Sequence, residues 1–88
     1  MKKYYEIENY DEEFKTEEEA KRRLEKILYD ESMYNYKINR NNSYSLLEVI
    51  YDEEKDDYIY TEILRPITIE EFKAMEYEEK EKYFKREN

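Results

Sequence analysis

The chain has 88 residues, of which 25 are Asp or Glu and 16 are Lys or Arg, so that its formal net charge is −9. It contains 12 tyrosines but no Gly, His, Cys or Trp. Without imidazole or thiol groups the chain lacks the usual general bases, nucleophiles and zinc ligands, and without Gly it lacks the usual phosphate-binding loop. We therefore expect no enzymatic activity, no cofactor and no metal, and a protein that acts by contact.

The length and composition favour one small folded domain spanning residues 1–88. The chain is 47% charged and 39% hydrophobic, which approaches the composition of disordered proteins, but 17% of its residues are aromatic and its aliphatic residues recur in regular patterns. No apolar segment approaches the ~18 residues of a membrane span, the first residues do not resemble a signal peptide, and no cysteine indicates an oxidising compartment. These features predict a cytoplasmic protein, and the residue usage fits an AT-rich genome such as that of a low-GC bacterium or its phage.

The first predicted elements are a strand and a helix. Residues 3–8 alternate in the manner of a strand, with Tyr5 and Ile7 on one face. The segment Thr16–Glu19 is a capping box, in which a threonine hydroxyl and a glutamate three residues later satisfy free amides at a helix start. Apolar residues then recur at helical spacing, and acidic residues precede basic ones by four positions. The pattern predicts a helix over residues 17–30.

The period changes to that of strands between residues 33 and 65. Alternation around Tyr34 and Tyr36 predicts a second strand, which Asn41-Asn42 would end in a tight turn. Two further strands are predicted over residues 43–52 and 57–65, joined by an acidic four-residue loop. Pro66 is expected to end the last strand, because proline cannot donate a hydrogen bond within a sheet.

A second capping box, Thr68–Glu71, predicts a C-terminal helical stretch with a break near Glu76. The predicted order is therefore β-α-β-β-β-α. This order indicates an α+β fold in which an antiparallel sheet carries helices on one face.

The lengths of the two predicted turns assign the strand residues to two faces. One face is aliphatic and suited to packing against a helix; it holds Met33, Tyr44, Leu46, Ile50, Ile59 and Ile63. The other face is rich in tyrosine; it holds Tyr34, Tyr36, Ile38, Leu47, Val49, Tyr51, Tyr58, Tyr60 and Leu64.

The tyrosine-rich face has two interpretations. Tyrosine is a favourable strand residue, and its ring packs well on a half-buried sheet surface without any further role. Alternatively the face is a binding surface, since tyrosine supplies a large, rigid contact area and is enriched in interface cores. The candidate contact residues are Tyr34, Tyr36, Tyr51, Tyr58 and Tyr60. Direct binding of nucleic acid is not expected, because this face lacks the basic residues that hold phosphates.

The acidic excess also has two interpretations, solubility or attraction of a basic partner. The strongest candidate cluster lies in the loop between the last two strands and consists of Asp52, Glu53, Glu54, Asp56 and Asp57. Two further clusters consist of Asp11, Glu12 and Glu13, and of Glu76, Glu78, Glu79 and Glu81. The loop does not match an EF-hand, because it has no Gly and no alternating acidic ligands. Since duplex DNA carries one charge per ~1.7 Å, a dense acidic surface can mimic it towards a nucleic-acid enzyme.

These observations favour a non-enzymatic protein-binding module whose partner is a basic protein surface. The specific expectation is an inhibitor of the DNA-mimic type, such as a phage-encoded antagonist of a restriction or CRISPR nuclease. That specific form depends only on a likeness in character to small acidic phage inhibitors. The alternative is a self-associating structural or regulatory domain, in which the tyrosine-rich face closes a homodimer or a sheet edge accepts a strand.

Overall fold

The described part of the chain forms one four-stranded antiparallel sheet with three helices. The structure is a computed structural model that describes residues 2–34 and 42–85. In chain order the elements are β1 (Lys2–Ile7), β2 (Tyr10–Phe14), α1 (Glu17–Tyr34), β3 (Ser43–Asp52), β4 (Asp57–Thr68), α2 (Ile69–Ala74) and α3 (Tyr77–Tyr83). The predicted α+β class is confirmed.

The strand order in the sheet is β2-β1-β3-β4, so that β1 and β3 are central and β2 and β4 are the edges. The β3–β4 hairpin pairs Tyr51 with Tyr58 and Val49 with Tyr60. This is the register that a four-residue loop predicts. The strand β1 pairs with the other side of β3 and places Tyr4 opposite Val49.

The helices cover one face of the sheet. Tyr5 and Ile7 of β1 pack there, as the alternation predicts, together with Leu46 of β3. The remaining buried members of this core are Phe14, Ala20, Leu24, Leu28, Tyr44, Leu64, Ile67, Ile69, Phe72, Tyr83 and Phe84. The smallest extent of the Cα trace is 16 Å, which accommodates the sheet and one layer of helices but no second layer.

Both predicted helix starts are confirmed. The Thr16 hydroxyl accepts a hydrogen bond from the Glu19 amide at 3.1 Å, and the Thr68 hydroxyl accepts one from the Glu71 amide at 3.1 Å. The predicted break near Glu76 is also present, because α2 ends at Ala74 and Glu76 is the N-cap of α3. Within residues 2–34 and 42–85, no helix has the length and apolar character to cross a membrane.

Two elements differ from the sequence prediction. The strand β2 was not predicted, because three of its five residues are acidic and such residues are uncommon in strands. It forms because Asn9, at φ 65°, reverses the chain and lets Phe14 join the core. The helix α1 continues to Tyr34, so the predicted strand is wrong at that residue, and Met33 lies on the helix with 74% of its surface exposed.

Tyr36, Ile38 and Asn41, which complete the predicted second strand and its turn, lie outside the described residues. Pro66 does not end β4, which continues to Thr68. The proline is tolerated because β4 is an edge strand, where one side of the backbone needs no partner in the sheet.

Besides Met33 and Tyr34, which lie on α1, the face assignment is wrong for one residue of the β3–β4 hairpin. The pairing of β3 with β4 shifts on both sides of Leu46, and Leu46 pairs with Leu64. This irregularity turns Leu64, which is 1% exposed, towards the helices and away from the tyrosine-rich face. Ile50 and Ile59 lie on the predicted side, but neither belongs to the helix-covered core and Ile59 is 52% exposed.

Candidate functional site

The face of the sheet that the helices leave uncovered, here called the open face, has three cross-strand rows of side chains. The first row runs through Lys2, Tyr51 and Tyr58, and the second through Tyr4, Val49 and Tyr60. The third row consists of Glu13, Glu6, Leu47 and Glu62. Aromatic rings therefore occupy the first two rows and carboxylates dominate the third.

The tyrosines of the hairpin form a continuous aromatic surface. The ring centroids of Tyr51 and Tyr58 are 4.9 Å apart, and those of Tyr58 and Tyr60 are 6.3 Å apart with an interplanar angle of 27°. Tyr58 is 49% exposed and Tyr60 is 57% exposed. Val49 is fully buried although it does not belong to the helix-covered core, because the surrounding aromatic side chains shield it.

Tyr4 is a member of the open face that the sequence analysis did not connect with the other tyrosines. Its pKa is raised by desolvation, and further by the nearby charges of Glu6 and Glu13 and by Tyr58 and Tyr60. The alternation of β1 does separate Tyr4 from Tyr5. Only the pairing of β1 with β3 brings it beside the hairpin, and no local pattern specifies that pairing.

The acidic loop adjoins the aromatic surface, and three of its carboxylates stabilise the turn. Asp52 accepts hydrogen bonds from the amides of Glu54 and Lys55 at 3.0 and 3.4 Å, and Asp57 accepts one from the amide of Tyr58 at 2.8 Å. Asp56 has φ 51° and accepts a hydrogen bond from the Tyr51 hydroxyl, which raises the pKa of that phenol. Aspartate is one of the few residues other than glycine that tolerate such a backbone angle.

Glu53 and Glu54 are exposed at the tip of the hairpin and, within residues 42–85, differ from the three aspartates because their carboxylates accept none of the hydrogen bonds that hold the turn. All five predicted acidic residues thus lie next to Tyr51 and Tyr58, as the sequence suggested. However, the loop divides them between two tasks. The aspartates hold the turn, whereas the two glutamates are available for long-range attraction of a cationic surface.

The row of carboxylates at the other end of the open face was missed from the sequence. Glu6 lies directly opposite Glu13 of β2, and Leu47 separates Glu6 from Glu62 of β4. Like charges directly opposite each other destabilise a sheet. The row therefore does not stabilise the fold. The open face thus has two acidic ends, this row and the acidic loop, and the tyrosines lie between them.

The remaining predicted residues lie elsewhere. Tyr34 is the last residue of α1, and Tyr36 lies outside the described residues. In the second acidic cluster, Glu12 lies 3.7 Å from Arg23 and Glu13 joins the open face. The third cluster lies on α3, in the helical layer. Eight of the ten predicted site residues are therefore brought together, all of them on the β3–β4 hairpin.

Within the described ranges 2–34 and 42–85, no three acidic side chains are arranged to hold a metal ion. Comparison with protein-family models, with curated proteins and with solved structures finds no match for this chain.

Proposed function

We propose that this protein is a non-enzymatic interaction module that binds a basic surface of a nucleic-acid-handling enzyme through the open face and the adjoining acidic loop. The two acidic ends take the place of nucleic-acid phosphates, and the tyrosines between them supply the desolvated contacts. Binding of this kind inhibits the enzyme by occupying its nucleic-acid groove. A phage-encoded antagonist of a restriction or CRISPR nuclease is the specific form of the proposal.

The observation that supports the proposal is the exposed aromatic surface between the acidic loop and the row of carboxylates. Tight interfaces have aromatic anchors near their centre and a polar rim around them. Tyr58 and Tyr60 are about half exposed, on a face that none of the helices in residues 2–34 and 42–85 covers. The exposed halves of these rings are therefore available to a partner.

The charge of the open face favours a protein partner over nucleic acid itself. Two basic residues lie near the tyrosines: Lys2, which pairs with Tyr51, and Lys55, which lies in the acidic loop. The loop and the third row together carry eight carboxylates. A phosphate backbone would be repelled by this arrangement, whereas a basic groove would be attracted to it.

Self-association of the open face is less well supported. A two-fold dimer brings the same surface of each copy together, so either acidic end would meet an acidic end of the other copy. We therefore expect sedimentation at micromolar concentration to give a monomer. A dimer that Tyr60→Ala dissociates would support the homodimer instead.

The test is affinity capture with the full chain as bait at ~50 mM salt, where interactions between surface charges are only partly screened. We expect to recover a nucleic-acid-binding enzyme that duplex DNA displaces from the bait. The association rate of the purified pair should fall several-fold as the salt is raised to ~500 mM.

A matched pair of variants separates local recognition from total charge. Glu53→Lys/Glu54→Lys changes the hairpin tip without touching the three aspartates that hold the turn. Glu76→Lys/Glu79→Lys makes the same change in net charge at exposed residues of the helical layer. Only the first variant should slow association markedly. Equal losses from both variants, or capture of partners that DNA does not displace, would contradict the proposal.

A further inference from the structure

At several places in the protein, one cation contacts both a tyrosine side chain and a carboxylate. Arg65 lies 5.5 Å from the ring centroid of Tyr83 and 3.1 Å from a Glu71 oxygen. Arg23 contacts Tyr10 at the hydroxyl edge of the ring, where its Nη1 donates a hydrogen bond to the phenol oxygen at 2.7 Å. Its second partner is a carboxylate of β2, at 3.7 Å. In both cases the tyrosine and the carboxylate attract the same cation, through the ring in Tyr83 and through the hydroxyl in Tyr10.

A third example involves lysine. Lys3 lies 5.9 Å from the ring centroid of Tyr5 and 3.4 Å from a Glu48 oxygen. On the open face, Lys2 lies 5.6 Å from the ring centroid of Tyr4. Rings of this chain that lie close to carboxylates thus attract its own cations at several places.

Tyr58 and Tyr60 also lie near carboxylates, but their rings contact other tyrosine rings. Within residues 2–34 and 42–85, their described ring contacts are with each other and with Tyr51, and no described cation lies over either ring. Glu62 follows two residues after Tyr60 on the same face of β4, and Asp56 accepts a hydrogen bond from Tyr51, whose ring centroid lies 4.9 Å from that of Tyr58. This part of the open face therefore has the rings and the carboxylates, and a partner can supply the cation.

We infer that the open face binds arginine side chains of its partner, with their guanidinium groups stacked on the Tyr58 and Tyr60 rings and directed towards the flanking carboxylates. Arginine suits this site better than lysine because its planar, weakly hydrated guanidinium stacks on an aromatic ring while its edge donates two parallel hydrogen bonds to a carboxylate. Arginine is also a principal contact to phosphates and bases in nucleic-acid enzymes. The inference deepens the proposed function and rests on it for the identity of the partner.

The experiment uses two capped 12-residue peptides, one of alternating Arg and Ser and one of alternating Lys and Ser, at ~50 mM salt. Each peptide is titrated into the isotopically labelled full chain. Calorimetry measures affinity and amide chemical shifts locate the contact. We expect the arginine peptide to bind about fivefold more tightly, because the planar guanidinium stacks on a ring while its edge pairs with a carboxylate. The largest shifts should lie on β3 and β4.

Variants of one exposed ring test the stacking. Tyr60→Phe keeps the ring face and should retain the preference for arginine, whereas Tyr60→Leu should reduce it to about twofold or less. Tyr77→Leu is the matched control, since Tyr77 is 69% exposed on α3. That control should retain the full preference. Unchanged thermal melting establishes that each variant is folded.

Equal affinity for the two peptides, no binding of either, or a preference that survives Tyr60→Leu would overturn the inference. Each of these results leaves the captured partner and its displacement by DNA intact, and the partner would then be held by charge without stacking. Conversely, a fivefold arginine preference lost in Tyr60→Leu supports the inference even if the capture experiment fails and the proposed function falls.

Discussion

Two tyrosine substitutions on opposite faces of one sheet test whether the open face is surface or core. Tyr60→Ala acts on the open face, where the residue is 57% exposed and thus 43% covered. Tyr44→Ala acts on the helix-covered face, where the residue is 3% exposed and its hydroxyl donates to Glu31 at 3.2 Å. Because the same atoms are removed in both variants, a difference in the loss of unfolding free energy reflects how each ring is packed.

The magnitudes follow from the covered area. A fully buried aromatic side chain covers about 150–250 Å², so the covered part of Tyr60 is about 65–110 Å². At ~25 cal/mol per Å² this area contributes about 1.6–2.7 kcal/mol, and less because the unfolded chain already buries some of it. We expect Tyr60→Ala to lower the free energy of unfolding by about 1–2 kcal/mol. Tyr44→Ala should cost about 3–5 kcal/mol, as is typical for a large core residue.

Urea unfolding followed by far-UV circular dichroism measures both values, with a common dependence on denaturant as the check for two-state behaviour. In a domain of this size, each kcal/mol also lowers the melting temperature by about 4–8 °C. If Tyr60→Ala costs as much as Tyr44→Ala, the open face is a packed core and our reasoning about the binding surface fails.

Three further predictions concern a helix cap, the hairpin turn and alkaline stability. Thr68→Ala should lower the free energy of unfolding by about 1 kcal/mol, because the Glu71 amide loses its hydrogen-bond acceptor at the start of α2. Asp56→Ala should be about 1 kcal/mol less stable than Asp56→Gly, because both lose the carboxylate but only glycine adopts φ 51° without steric cost. Burial raises the pKa of the Tyr83 phenol above its ordinary value of about 10. Above that pH the unfolded chain releases the proton while the native protein retains it, so stability falls as the pH rises, and Tyr83→Phe should reduce this fall between pH ~9 and ~11.

Each of these predictions has an internal control. Thr68→Ser keeps the hydroxyl and should stay close to the wild type, so an equal loss would place the effect outside the cap. Equal stability of the two Asp56 variants would show that the backbone angle carries no cost. The pKa of Tyr44 is also raised by burial. In Tyr83→Phe the loss of stability with rising pH should therefore become smaller but not vanish. An unchanged slope in Tyr83→Phe would mean that this phenol does not couple ionisation to folding.

The elements that the sequence predicted well depend on neighbours in the chain. Thr16 and Thr68 cap their helices because a side chain three residues from the free amide suffices. The β3–β4 hairpin has the predicted register because the length of a short loop determines which residues face each other. Eight site residues came together for the same reason, since all of them lie within one hairpin.

Other features depended on contacts between distant parts of the chain. The acidic β2 forms only because β1 offers it an edge and the helices accept Phe14, and the irregular pairing around Leu46 turns Leu64 into the core. Alternation separates the two faces of a strand but cannot state which face the helices cover or which strands are neighbours.

The composition and the local patterns of this chain thus determined its acidic, aromatic character, its helix starts and its main hairpin. Only the tertiary structure decided that Tyr4 joins the hairpin tyrosines and that Glu6, Glu13 and Glu62 align beside them. The physical reason is that strand neighbours and the covered face are fixed together, when the helices pack against one side of the assembled sheet and leave the other side to solvent.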